Sequence, residues 1–238
     1  MAVVERILRW PGVDLDHGDV DGHTAVDWAA RKGHTEIVSL LLERPELTVD
    51  WNTVDRRVNP LCLAVEYGYE ETARRILERH AGRISVNSRT AIGRTPLCHA
   101  ILRGWDALVA LILKHPEVDV NQPVDFAATA LHLAAVYLAD QTMLRLLLAD
   151  PRVEVNIANG YGASPLVNAV KKGYEFAVRL LLERPDILPD MKDGVGMTAL
   201  AWATHLGRLG VVEMLLDRQD VDPNARDDDG VTPLSIAV

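Results

Sequence analysis

Thr95-Pro96-Leu97-Cys98-His99-Ala100 has counterparts along the whole chain at spacings of 34 to 36 residues. They are Thr24-Ala25-Val26-Asp27-Trp28-Ala29, Asn59-Pro60-Leu61-Cys62-Leu63-Ala64, Thr129-Ala130-Leu131-His132-Leu133-Ala134, Ser164-Pro165-Leu166-Val167-Asn168-Ala169, Thr198-Ala199-Leu200-Ala201-Trp202-Ala203 and Thr232-Pro233-Leu234-Ser235-Ile236-Ala237. A fixed period in this range marks stacked repeats, each contacting its neighbours, in place of one central core. It points to a binding surface and away from a reaction pocket.

Each repeat reads alike in physical terms. The opening Thr, Ser or Asn accepts a backbone N–H at a helix start, and Pro one residue later costs nothing in the first turn. Nine residues after the opening stands a glycine (Gly33, Gly68, Gly104, Gly173, Gly207), suited to the left-handed helix end. A second, Leu-rich helix follows, as in Phe176 to Leu182, and Pro45, Pro116, Pro151 and Pro185 stop it. A tail such as Val118-Asp119-Val120-Asn121 alternates apolar and polar residues and runs into an Asp/Asn/Gly turn. The amides of Asn121, Asn156 and Asn224 are expected to bond nearby backbone.

Asp21-Gly22-His23-Thr24, Ala29-Ala30-Arg31-Lys32-Gly33-His34 and Val118-Asp119-Val120-Asn121 resemble the ankyrin repeat pattern, and the resemblance covers the whole chain. It implies an all-α solenoid of helix pairs joined by β-hairpin-like loops. Tetratricopeptide repeats share the period but lack the Thr-Pro-Leu openings and the turn segment. The Arg-Pro endings also look like ankyrin arrays of filamentous fungi.

The period divides the chain into six complete repeats between two half repeats, read as one domain. The half repeats are 1–16 and 225–238; the complete ones are 17–50, 51–87, 88–121, 122–156, 157–190 and 191–224. The chain opens on a second helix and closes inside a first one, with no polar cap legible, as expected of a segment from a longer array. Arg57 and Ala127 replace the hairpin glycine found as Gly22, Gly93, Gly162, Gly196 and Gly230. Repeat two carries extra residues near Ala81-Gly82-Arg83, and repeat four lacks its inter-helix glycine in Val136-Tyr137-Leu138-Ala139-Asp140.

With 48% hydrophobic and 25% charged residues, 238 residues bury ample surface. A net charge of −9 argues against general nucleic-acid or anionic-membrane binding. The stretch from Phe126 to Ala139 is too short to span a bilayer. Met1 to Arg6 shows no signal-peptide pattern, and two cysteines make no disulfide framework, so a reducing intracellular compartment, cytoplasmic or nuclear, is expected.

Cys62, Cys98 and His132 invite a metal-site reading, since all three stand three residues after an opening. Stacked helices lie about 8–10 Å apart, whereas zinc ligands must converge within about 2.0–2.3 Å of one ion. A column of buried residues is the expected reading. Gly194-Val195-Gly196 imitates a dinucleotide motif but serves the hairpin, and Asp227-Asp228-Asp229-Gly230 lacks the glutamate of a calcium loop. No catalytic centre, cofactor or structural metal is expected.

The ankyrin resemblance implies that residues one and three before each opening, and seven and eight after it, face a concave groove. Arg31, Lys32, Glu66 and Tyr67 hold such places in the first two repeats. The apolar ones in the middle are Ile92, Leu102, Phe126, Val136, Tyr137 and Tyr161, flanked by Arg94, Arg103, Lys171 and Lys172. Such a face suits a monomer that binds a protein segment with apolar anchors and acidic flanks. Trp28 and Trp202, at a leucine position of the first helix, are expected in the core. Three readings stay open: a recognition scaffold, a spacer whose face is merely solvated, and the substrate-recognition part of a larger modifying or signalling enzyme.

Overall fold

The computed structural model describes residues 1–49, 59–80, 82, 84–137 and 141–238. They contain fourteen α-helices and no β-strand, in two compact units, Met1–Asp119 and Val120–Val238. In the first unit α1 (Ala2–Leu8) precedes three helix pairs: α2 and α3 (Ala25–Arg31, Thr35–Leu42), α4 and α5 (Pro60–Tyr67, Glu70–His80), α6 and α7 (Pro96–Arg103, Asp106–Leu113). The second unit holds α8 and α9 (Ala130–Tyr137, Gln141–Ala149), α10 and α11 (Pro165–Lys172, Glu175–Leu182), α12 and α13 (Ala199–His205, Leu209–Leu216), then α14 (Pro233–Ile236). Within the first unit α2, α4 and α6 pack in one row and α3, α5 and α7 in another. Within the second, α8, α10, α12 and α14 form one row and α9, α11 and α13 the other. This is the repeat solenoid that the period predicts. Arg57, Ala81, Arg83 and residues 138–140 lie outside the described residues.

The helices start and stop for the reasons the sequence supplies. Asn59, Thr95, Ser164, Thr198 and Thr232 each accept the backbone N–H three residues on, at 2.9 to 3.3 Å. Gly68, Gly104 and Gly173 end α4, α6 and α10 in the left-handed conformation, with φ of 91°, 70° and 74°. Between these ends, Ala64, Ala100, Ala169 and Ala203 are fully buried, and their small side chains let successive first helices approach.

His132 substitutes for a simple cap. Its Nδ1 accepts the Thr129 backbone N–H at 3.1 Å, so its Nε2 carries the proton and donates to the Ala163 carbonyl at 3.1 Å. Burial lowers its pKa. The ring thus joins repeat four to the hairpin of repeat five. Cys62 is buried and donates to the Ser88 carbonyl at 3.4 Å; burial pushes its thiol up to about 12.

Polar side chains carry each repeat onto the next. The Asn87 amide donates to the Glu117 carbonyl at 2.7 Å and accepts the Asp119 N–H at 2.8 Å. Asn121 does the same with Arg152 and Glu154, and Asn156 with Asp186 and Leu188. Nearby backbone is the expected partner of Asn121 and Asn156; it is backbone about thirty residues on, because successive tails run side by side, and Asn87 uses the same arrangement. Along the second helices, Arg184 donates to the Leu148 carbonyl at 2.8 Å and Arg218 to the Leu182 carbonyl at 2.6 Å.

Asp190 breaks the series. It accepts the Asp222 N–H at 2.7 Å, but its second oxygen is buried without a hydrogen-bond partner, and a carboxylate cannot donate as Asn156 does. Burial raises its pKa, aided by the charges of Asp222 and Asp220. The folded-state pKa is thus above the unfolded one, so stability from this group is full below the unfolded value and is lost as pH rises through the folded one. Asp190→Asn restores the donor and removes the charge. It is expected to stabilise by roughly 0.5–1.5 kcal/mol at pH 7, with a smaller gain below pH 4; melting curves at the two pH values check it.

The end helices are the least held. No residue of α1 is buried, and in α14 only Pro233 is. Amide exchange by mass spectrometry is expected to be fastest there and slowest in α6, α8 and α10; equal protection throughout would refute this ordering.

Candidate functional site

The described hairpin tips share one backbone design. In repeat one, Gly22 N–H donates to the Asp19 carbonyl at 2.9 Å and Asp19 N–H to the His23 carbonyl at 3.0 Å, with Gly22 at φ 81°. The same pair of bonds recurs at Thr90/Gly93/Arg94, Asn159/Gly162/Ala163, Asp193/Gly196/Met197 and Asp227/Gly230/Val231. The leading side chain braces the turn from inside: Asn159 Oδ1 accepts from Tyr161 and Ala163, and Asp193 Oδ1 from Val195 and Met197. In these described tips the residue three before the opening is held outward. Ile92, Phe126, Tyr161 and Val195 are 53%, 73%, 64% and 56% exposed.

Repeat four forms its tip without glycine. Asp125–Ala127 makes a tight turn in which Phe126 and Ala127 take φ of 52° and 55°, in the left-handed region. A side chain in this left-handed region costs roughly 1–2 kcal/mol per residue. Neighbouring tips in the second unit then join through backbone. Gly160 N–H donates to the Phe126 carbonyl at 2.6 Å and Gly194 N–H to the Tyr161 carbonyl at 2.9 Å. A Cβ on either glycine would stand 2.9 or 2.8 Å from the accepting oxygen. Above this link the Phe126 and Tyr161 rings stack, with centroids 5.7 Å apart and planes at 23°.

The other residues singled out from the sequence divide between the two units. In the first, Ile92 and Arg103 are exposed while Arg94 and Leu102 are half-buried. Arg103 donates to the Glu66 carbonyl at 2.8 Å, and its guanidinium lies 5.2 Å from the Trp105 ring centroid. In the second, Val136 is half-buried and Lys172 exposed; the Tyr137 side chain lies outside the described residues. Lys171 is engaged internally: its Nζ sits 3.1 Å from Asp193 Oδ2 and 3.8 Å from the Trp202 ring centroid. Burial raises the Asp193 carboxyl, but Lys171, the Val195 N–H and the Trp202 indole outweigh it and lower its pKa.

The two tryptophans correct the sequence reading. Trp28 is 39% exposed and Trp202 half-buried, so neither is a core residue. Each indole N–H donates at 2.8 Å to the aspartate nine positions earlier, Asp19 and Asp193, tying first helix to hairpin. The buried Thr90 hydroxyl and His99 Nε2, 3.1 Å apart, use the same spacing. That recurring interval is the signal by which the sequence could have shown these links. Asp19, Asp21 and His23 bring oxygen and nitrogen atoms within 4.8 Å of one another. The Asp19 oxygens, however, already accept from Asp21, His23 and Trp28.

Strain at the repeat-four tip is measurable by itself. Ala127→Gly retains the backbone path and removes the clash, so it is expected to stabilise by about 0.5–1 kcal/mol after glycine's own entropy cost. Calorimetry checks this; a lower melting temperature would mean that the Ala127 methyl is favourably packed.

Residues 1–90, 82–159 and 139–227 match the family model for ankyrin repeats (3 copies). Over 99 residues, 42% of this chain, the sequence is 34% identical to alpha-latrotoxin-Lg1a of Latrodectus geometricus, but this spans only 7% of the toxin's length. It is 28% identical to the ankyrin repeat protein YahD of Escherichia coli (strain K12) over 170 residues, covering 69% of this chain and 81% of that protein. Among solved structures, the ankyrin repeat domain of Bcl-3, a member of the IkappaB protein family, superimposes with a TM-score of 0.75 at 25% identity, covering 92% of this chain and 95% of that one.

Proposed function

We propose that this chain, which belongs to the ankyrin repeat family, is a non-catalytic protein-recognition module that takes its partner on the hairpin tips and first helices. The observation that carries this reading is the stacked Phe126–Tyr161 pair. Two aromatic side chains stand largely in water, on backbone that is strained at one tip and cross-linked to the next. The hairpin calls for left-handed backbone at the Ala127 place, where other tips have glycine, so a non-glycine pair kept there stores strain, and strained backbone is common at functional positions. Large rings held rigid are also what interface centres use, because little rotamer freedom remains to be lost on binding. Val195 is likewise exposed at its tip, and Lys172, the last residue of α10, is an exposed cation of the same unit.

The partner is accordingly a protein segment with apolar anchors and a nearby carboxylate. Relatives named for ankyrin repeats support the recognition role, and no helix among the described residues is long and apolar enough to cross a membrane. A photo-cross-linking residue at position 161 identifies the bound protein. Replacing Phe126 and Tyr161 by Ala is then expected to weaken its affinity at least about tenfold, or about 1.4 kcal/mol, with little change in melting temperature. A collapse of melting with affinity per folded molecule intact makes the rings structural. No cross-linked partner at all favours the spacer reading.

A further inference from the structure

Of the chain's eight asparagines only Asn159 is followed by glycine. The pair stands at the repeat-five tip, where that tip is linked to repeat four. In an open chain such a pair reacts with itself. No side chain shields the glycine nitrogen, and glycine gives the backbone freedom to bring it onto the carboxamide. The nitrogen of Gly160 loses its proton to solvent base and bonds to Asn159 Cγ. The Cγ–Nδ2 bond breaks, and Nδ2 takes up a proton and leaves as ammonia. Water then opens the five-membered imide at either carbonyl. The product is aspartate, or isoaspartate when the main chain comes to run through the side-chain carbon.

The folded tip holds both reacting groups off this path. The Gly160 N–H is donated to the Phe126 carbonyl at 2.6 Å, which opposes loss of its proton. Asn159 Oδ1 accepts the Tyr161 and Ala163 N–H groups at 2.9 and 3.1 Å, which fixes the carboxamide. Neither guard lies deep, since Gly160 is exposed and Asn159 half-buried. The accepting carbonyl also belongs to the strained turn, where Phe126 and Ala127 take φ of 52° and 55°. Relaxation of that turn is favoured locally, so the two tips part more readily than the helices behind them unfold.

Repeat six shows the same backbone with an aspartate in place. Asp193 precedes Gly194, whose N–H donates to the Tyr161 carbonyl at 2.9 Å, and Asp193 Oδ1 accepts from Val195 and Met197. The tip design therefore accepts the aspartate product. Isoaspartate is different: it adds a methylene to the main chain between Asn159 N–H, bonded to the Ala163 carbonyl, and Gly160 N–H, bonded to Phe126. Both bonds cannot keep their partners across the longer path. We infer that Asn159–Gly160 is a self-modification site gated by the Gly160–Phe126 bond. Parting of the tips frees the pair, the imide closes, and isoaspartate then prevents the tips from rejoining. The chemistry is one-way and needs only water. It adjoins the Phe126–Tyr161 stack proposed to bind protein, but requires no partner.

Incubating the intact chain at mildly alkaline pH, with peptide mapping by mass spectrometry, tests it. Asn159 is expected to be the first asparagine modified in the folded chain, at a rate at least about tenfold below that of the urea-unfolded chain. Exchange of the Gly160 N–H, followed by NMR, reports the same opening independently. Its protection is expected to match that of Asn159 within about threefold and to fall well below that of Val170, buried in α10. The isoaspartate fraction, isolated by ion exchange, is expected to lose protection at Gly160. Asn159→Asp, which adds the charge without the methylene, is expected to keep it. Equal rates in folded and unfolded chain overturn the gate, as does a folded chain in which Asn159 never reacts. Protection of Asn159 as large as that of Val170 also overturns it, because the reaction then waits for the repeat to unfold. So does an isoaspartate fraction that keeps Gly160 protected, or an equal loss of that protection in Asn159→Asp.

Discussion

No described helix exceeds eleven residues, and most have seven or eight. Helices that short are not stable alone in water, since nucleation costs more than a few added turns return. Everything else in the structure depends on that constraint. Each helix must be held by the helix beside it and by the equivalent helix one repeat away, and the rows of first and second helices meet that need. The buried alanine column lets the first helices close up, and the inter-repeat hydrogen bonds of Asn87, Asn121, Asn156, Arg184 and Arg218 tie down the tails and helix ends.

The same constraint leaves the tips free for other work. Since the stacking is done by the helix rows and the tails, the outward residue of each hairpin has no packing duty. Side chains there can be large and apolar without disturbing the fold, as Phe126 and Tyr161 are. The backbone links between tips use only main-chain atoms of one residue and a glycine of the next. They hold the display in place without specifying what is displayed.

One residue type does different work at different places in the stack. Trp28 and Trp202 share a register position and the same bond to an aspartate. Around Trp202 a lysine contacts the ring and pairs with Asp193, while around Trp28 an arginine and a lysine contact the ring and pair with no carboxylate among the described residues. Repetition makes such contrasts readable, because each repeat is a control for the others.

Local chemistry is legible in the order of residues alone. The openings Asn59, Thr95, Ser164, Thr198 and Thr232 cap helices, Gly68, Gly104 and Gly173 end those opened by the first three, and the period dictates stacking; each is a matter of backbone sterics or hydrogen bonding within a few residues. The outward places of Ile92, Phe126 and Tyr161 follow from register too. The pairing of side chains across repeats is not legible in that way. That Lys171 reaches Asp193, that Asn156 bridges to Asp186 and Leu188, and that Trp28 faces Arg31 and water instead of the core depend on how far apart neighbouring repeats settle. Spacing along the chain does not encode those distances. Nor does it encode the left-handed backbone of Phe126 and Ala127, a conformation their side chains oppose and which persists only because the surrounding contacts, assembled in three dimensions, outweigh the local preference.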